Sequence, residues 1–197
     1  KMSREYIARD PRTGMIIQKF NQTYQDADIR ALLPQSGPWQ RIPLQDILLL
    51  ASGKVKKIEL PINDGRGGFA GRIDGIKALN RVLSSDVDKA HSILLDALDD
   101  DYPDVRIAAL KSMPSFSLRK STSIFQFLSD RLMDENDAVR EESRECLKLL
   151  SPIFPSGCED ILRRELRSKI MTSRGDAFEA LRLTAKRWPE AGCLHVD

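Results

Sequence analysis

Four arginines, Arg72, Arg106, Arg140 and Arg174, recur at one constant interval, and this period constrains the fold more than any other feature of the chain. Seven positions after each stands a large apolar side chain: Leu79, Met113, Leu147 and Leu181. The residue before each of those is small (Ala78, Ser112, Cys146, Ala180), and so is the third residue after each arginine (Gly75, Ala109, Ser143, Ala177). Small side chains on one helical face let neighbouring helices approach, and large ones fill the space between layers. Self-similarity at such a period is the mark of an array whose units bury their apolar faces only against one another.

The upstream half of each unit repeats as well. Leu94, Leu128 and Leu162 share one phase, Leu98, Leu132 and Leu166 another, and Ile93, Phe127 and Ile161 complete a stripe on one helical face. Each unit reads as a first helix (about 87–98, 121–132 and 157–168), a polar turn, and a second helix (about 104–115, 138–150 and 175–188). The turns are rich in Asp, Asn, Pro and Ser. Asp104 and Asp137 are placed to cap the helix that follows and to favour its positive N-terminal dipole.

The segments Leu98-Asp-Asp-Asp-Tyr-Pro-Asp-Val-Arg-Ile-Ala-Ala-Leu and Leu132-Met-Asp-Glu-Asn-Asp-Ala-Val-Arg-Glu-Glu-Ser resemble the inter-helix turn and second-helix start of HEAT repeats. The likeness is strongest to the short variety named after phycobilisome lyases. The resemblance covers about 87–150 well and the flanking units more weakly. It implies an all-α fold, an α-α superhelix of about four helical hairpins behind an irregular N-terminal segment. It also implies a structural ladder of charge pairs between units, here Asp100, Arg106, Asp134 and Arg140. The aspartate position of the ladder is Arg66 in the first unit and Ser168 in the last, so the ladder is expected to stop there, as in atypical terminal repeats. A tetratricopeptide array has the same period, but its Trp, Leu-Gly and Tyr signature is absent.

Residues 1–41 fall outside this register and are expected to be an arm with short helices at Met15 to Tyr24 and Asp26 to Leu33, joined to a turn at Asp10 to Gly14. Trp39 either plugs the open end of the array or belongs to an arm that docks on a partner. The repeat region is expected over 42–188, in units of about 42–84, 87–115, 121–150 and 157–188, with a tail at 189–197. Residues 53–68 form an insertion where other units have a tight turn, and Ile58, Leu60 and Ile62 alternate with polar neighbours. Such a long loop connects, contacts a partner or, through Gly-Arg-Gly-Gly, cradles a phosphate, although it lacks the lysine and hydroxyl of a P-loop.

Chemistry is sparse. The three cysteines, Cys146, Cys158 and Cys193, have no Cys-x-x-Cys spacing, which argues against a disulfide scaffold or a zinc site. His91 reads as a partly exposed helix residue, and His195 with Cys193 makes too few ligands for a metal. No catalytic residue, metal ligand or cofactor is assigned, and nucleophile-elbow, zincin and dinucleotide motifs are absent. The acidic turn at Asp99 to Asp104 lacks the spacing of an EF-hand. No stretch approaches the roughly 18 apolar residues of a membrane helix. The sequence opens on Lys1 without a signal segment, so a targeting peptide would already have been removed; the compartment stays open, with a cytoplasmic or organellar setting expected.

What remains is surface. The net charge is +2, but residues 161–187 hold eight basic side chains against Glu165, Asp176 and Glu179, while 85–104 holds seven acids against Lys89. The exposed phases of the second helices carry Lys77, Arg81, Lys111, Arg144, Lys148, Arg182 and Lys186, a stripe that is basic on balance and reads either as a solvated face or as a partner-binding one. The functional expectation is a non-catalytic scaffold or assembly adaptor that holds a protein partner, as part of a larger complex, through this surface and the N-terminal arm. Two alternatives stand: a nucleic-acid-binding HEAT-like protein, for which aromatic interleaving is thin, and an enzyme or enzyme subunit like the bilin lyases.

Overall fold

The computed structural model describes the backbone of residues 2–9, 16–24, 37–63, 66–117 and 121–187, and most of the side chains from residue 37 onward. The chain divides into two compact units, Lys1–Leu33 and Pro34–Asp197.

The first unit is a β-hairpin. Strand β1 (Met2–Arg9) pairs antiparallel with β2 (Ile16–Tyr24), from Met2 opposite Tyr24 to Arg9 opposite Ile16, with an irregularity at Ala8/Arg9. This corrects the helix expected from Met15 to Tyr24. The segment is rich in Ile, Phe, Thr and Tyr, which favour a pleated strand, and a strand pattern this short was open to a helical reading. The second expected helix, Asp26 to Leu33, and the expected turn at Asp10 to Gly14 lie outside the described residues.

The second unit is mostly helical. A 3-10 turn (Pro38–Arg41) leads into α1 (Leu44–Ala51), then a second hairpin, β3 (Lys57–Asn63) and β4 (Arg66–Gly71). There follow α2 (Arg72–Ala78) with a 3-10 extension (Leu79–Val82), α3 (Val87–Leu98), α4 (Pro103–Ser112), a single turn (Pro114–Ser117) and α5 (Ser121–Arg131). The last three are α6 (Asp137–Leu150), α7 (Pro155–Leu166) and α8 (Met171–Arg187). First helices touch in succession (α1–α3–α5–α7), as do second helices (α2–α4–α6–α8), so the helices lie in two rows. Of the periodic large positions, Leu79, Leu94, Leu98, Met113, Leu128, Leu132, Leu147 and Leu162 are buried, whereas Leu166 and Leu181 are only partly so.

The small positions do measurable work along the second row. Ser112 Oγ donates to the Ile76 carbonyl at 3.2 Å and Cys146 Sγ to the Leu110 carbonyl at 3.7 Å, contacts of one register between successive second helices. At Gly75 an added Cβ would stand 2.6 Å from the Ala51 nitrogen and 2.7 Å from Leu50 Cβ, so α2 rests directly on the backbone of α1.

Three local expectations change. The insertion at 53–68 is no irregular loop: most of it belongs to the β3–β4 hairpin, with Ile58 opposite Ala70 and Leu60 opposite Gly68. Leu60 and Ala70 are buried, which is what the alternation of apolar residues encoded. Arg66 to Gly68 are extended strand, so their amides do not curl into a phosphate cradle. The cap of α6 is the Asn136 side chain, which accepts from the Ala138 and Val139 amides at 2.9 and 3.3 Å; Asp104 and Asp137 lie inside the first helical turns instead, where they favour the dipole. Finally, His91 is buried, because its spacing to Leu94 and Leu98 puts it on the inward stripe of α3.

Candidate functional site

The periodic arginines start the second helices and look back at the turn before them. Arg106 Nη1 donates to the carbonyls of Asp100 (2.7 Å) and Asp101 (3.2 Å), and its Nη2 reaches Asp134 Oδ1 in the next turn at 2.8 Å. Arg140 likewise donates to the carbonyls of Asp134 and, at 3.0 Å, Glu135, and pairs with Asp137 on its own helix. Arg174 donates to the Ser168 carbonyl at 2.6 Å. Arg72 has a hairpin where the others have a turn. Its Nε reaches the Ala51 carbonyl at the end of α1 at 3.4 Å, while its Nη2 pairs with Asp100 at 2.7 Å.

Two of the periodic arginines therefore pair with an aspartate of the following turn, Arg72 with Asp100 and Arg106 with Asp134, at the same separation along the chain. The aspartates also accept the amide two residues on, Tyr102 for Asp100 and Asn136 for Asp134, both at 2.9 Å, which fixes each turn. Ser168 does the same for Ile170 at 3.2 Å but brings no charge for Arg140. Arg131 adds a second clasp, to Asp134 Oδ2 at 3.2 Å and Asp99 Oδ1 at 3.3 Å. Burial works against the charge on Asp134. The hydrogen bonds from Arg106 and the Asn136 amide, with the positive charges of Arg106 and Arg131, outweigh it and hold the carboxyl below its ordinary range.

The basic stripe is largely occupied by the protein itself. Lys111 faces Glu142 at 3.3 Å. Arg144 Nε and Lys148 Nζ converge on Asp176 of α8 at 3.0 and 3.2 Å, and each has a glutamate on its own helix, Glu141 and Glu145. Burial disfavours the Lys148 ammonium, yet the bonds to Glu145 and Asp176 prevail and raise its pKa. Arg182 is bound to Glu179. Arg81 is not on the stripe in any useful sense: its Nη1 donates to the Trp39 and Ile42 carbonyls at 3.0 and 2.7 Å, tying the segment around the buried Trp39 to the 3-10 extension of α2. Lys77 and Lys186 have no carboxylate partner among the described residues.

Asp176 escaped the sequence reading, although Lys148 and Asp176 have the same separation along the chain as Arg106 and Asp134. The turns also hold a feature that charge counting passes over. Tyr102, Met133 and Ile170, one in each turn between first and second helix, are 71%, 69% and 58% exposed. Arg106 and Arg131 clasp the turn that carries Tyr102 to the turn that carries Met133. Two more exposed apolar side chains, Met171 and Phe178, stand on α8, and Phe69 on β4 carries Lys57 Nζ 3.5 Å from its ring centroid.

Cys146 and Cys158 are buried free thiols, and burial pushes the pKa of each well up. Among the described residues no group of His, Cys, Asp and Glu is arranged to hold a metal ion, and no helix is long and apolar enough to cross a membrane. No known protein family, curated protein or solved structure matches the chain.

Proposed function

We propose that the chain is a HEAT-like helical solenoid that works as a non-catalytic interaction scaffold, holding a macromolecular partner along the edge formed by its inter-helix turns. The observation that carries this reading is the run of Tyr102, Met133 and Ile170, one exposed apolar residue per turn. Single exposed apolar residues are ordinary on a protein surface, but one in each of three successive inter-helix turns supports a contact surface on that side. Around it the charged residues of the turns and second helices supply a polar rim, as interaction surfaces have. The second-helix stripe takes a lesser part, since Lys111, Arg144, Lys148 and Arg182 already face carboxylates. That neutralisation also weighs against phosphate backbones as the main partner, because their binding draws on uncompensated cations.

The test is recovery of the tagged chain from its native source, beside a triple variant Tyr102→Ser, Met133→Ser, Ile170→Ser. A stoichiometric assembly that is lost from the variant, with helicity unchanged by circular dichroism, supports the reading. An assembly that survives the triple substitution removes the turn edge.

A further inference from the structure

We propose that the outer face of the β3–β4 hairpin binds single-stranded nucleic acid, with Phe69 as the platform for a base and Lys54, Lys56 and Lys57 as the sites for phosphates. This surface is separate from the turns of Tyr102, Met133 and Ile170, and neither reading depends on the other. Side chains alternate along a strand. Leu60 and Ala70 are buried on one face of the hairpin, and the register puts Lys57, Glu59, Phe69 and Gly71 on the other. Lys57 Nζ lies 3.5 Å from the Phe69 ring centroid and so covers one side of the ring. Even so, Phe69 is 58% exposed.

The glycines of β4 point the same way. Three of its six residues are glycine, a residue that weakens a strand interior and marks a close approach of backbone or ligand. At Gly68 an added Cβ would stand 3.3 Å from Arg41 Nη2, so packing within the chain accounts for it. Gly71 is different. It shares the face of Phe69, its φ of −119° suits any residue, and a Cβ there would meet nothing nearer than the Lys56 carbonyl at 3.7 Å. The chain itself leaves the space beside the ring open.

The cations are free as well. Lys54, Lys56 and Lys57 are exposed and have no carboxylate partner among the described residues. Lys111, Arg144, Lys148 and Arg182, by contrast, are neutralised by Glu142, Asp176 and Glu179. Phosphate backbones draw on uncompensated cations, and here they cluster beside an exposed aromatic ring. Charge alone would admit an acidic polypeptide, but every base has a π face to lay on Phe69, and a run of carboxylates has none. A bilayer would have to take in Glu59, the exposed acid opposite Phe69, together with the ring. In a duplex the bases stack on one another, so a ring that receives a base selects single strands.

The test is fluorescence anisotropy with a labelled oligothymidylate of about 12 nucleotides, within the site sizes of such surfaces. The expected Kd is about 100 µM or tighter at physiological salt. Replacing Lys54, Lys56 and Lys57 together by Gln should weaken binding and reduce the slope of log K against log salt by about 2, at about 0.7 for each phosphate. Phe69→Ser should weaken it about fivefold or more and leave the slope unchanged. All four side chains are exposed, so circular dichroism should match the parent in both variants. No binding, or binding that survives either variant, overturns the proposal. So does a duplex of the same length that binds as tightly as the single strand. A labelled polyglutamate of matched length that binds as tightly overturns it too, because the occupant is then an acidic polypeptide. Loss of oligonucleotide binding in the variant Tyr102→Ser, Met133→Ser, Ile170→Ser would move the contact to the turns and remove the hairpin site.

Discussion

Arg106 binds Asp134 at 2.8 Å with side chains 4% and 2% exposed, a charge pair closed off from solvent between α4 and the turn before α6. An ion pair in that position stabilises because hydrogen bonds offset its desolvation: Asp134 receives Arg106, Arg131 and the Asn136 amide, and Arg106 also donates to two carbonyls. Remove the carboxylate and a buried guanidinium loses its counter-charge.

Asp134→Ala is therefore expected to lower the unfolding free energy by about 3–5 kcal/mol, the range for breaking a buried pair from one side. Urea denaturation at neutral pH measures it. A loss below about 1 kcal/mol would place the pair in the class of exposed salt bridges.

The same carboxyl gives a pH signature. Its folded pKa lies below the ordinary 3.8, so its contribution is present above that value and is lost as the pH falls through the lower folded one. Urea midpoints taken from neutral pH down to acid should fall on this limb, and Asp134→Asn should flatten it. Parallel acid limbs in the two proteins would assign the fall to other carboxylates.

Ser168 stands where Asp100 and Asp134 stand in the two preceding turns. Its hydroxyl accepts the Ile170 amide as Asp100 and Asp134 accept theirs, so Ser168→Asp keeps the turn and offers Arg140 a carboxylate. Arg140 is partly exposed, and the gain expected is up to about 1 kcal/mol. A double-mutant cycle with Arg140→Gln should remove it; a gain that persists there comes from the turn and not from the pair.

Gly75→Ala sets helix propensity against space. Alanine favours a helix interior by about 1 kcal/mol over glycine. Against this, the added methyl would lie 2.6 Å from a backbone nitrogen of α1, which cannot swing aside as a side-chain tip can. Overpacking of about 1–3 kcal/mol wins, and thermal unfolding should show a lower Tm. An unchanged or raised Tm would mean that α1 and α2 pack less closely.

Cys146 and Cys158 are buried with their ionisation suppressed, so a Cys193→Ser variant should show no fast thiol toward an aromatic disulfide reagent until urea unfolds it, and then two. A thiol that titrates at once in native buffer would show that one of the buried sites opens locally.

The sequence alone determined the helical unit. Its constant period placed α3 to the residue and α4 to α8 within a few positions at each end, and it marked the small contacts at Gly75, Ser112 and Cys146, because a helix writes its packing face into spacings of three and four residues. Tertiary structure alone decided three other matters. Both hairpins join strands whose period-2 signal is short, so β2 passed for a helix and β3–β4 for a loop until their partners were seen. The cations of the second helices looked free because Asp176 and Glu142, which neutralise Lys148, Arg144 and Lys111, belong to the following second helix and meet them only when those helices pack together. The exposure of Tyr102, Met133, Ile170 and Phe178 is a property of what covers a residue and what does not, and local periodicity carries no record of that.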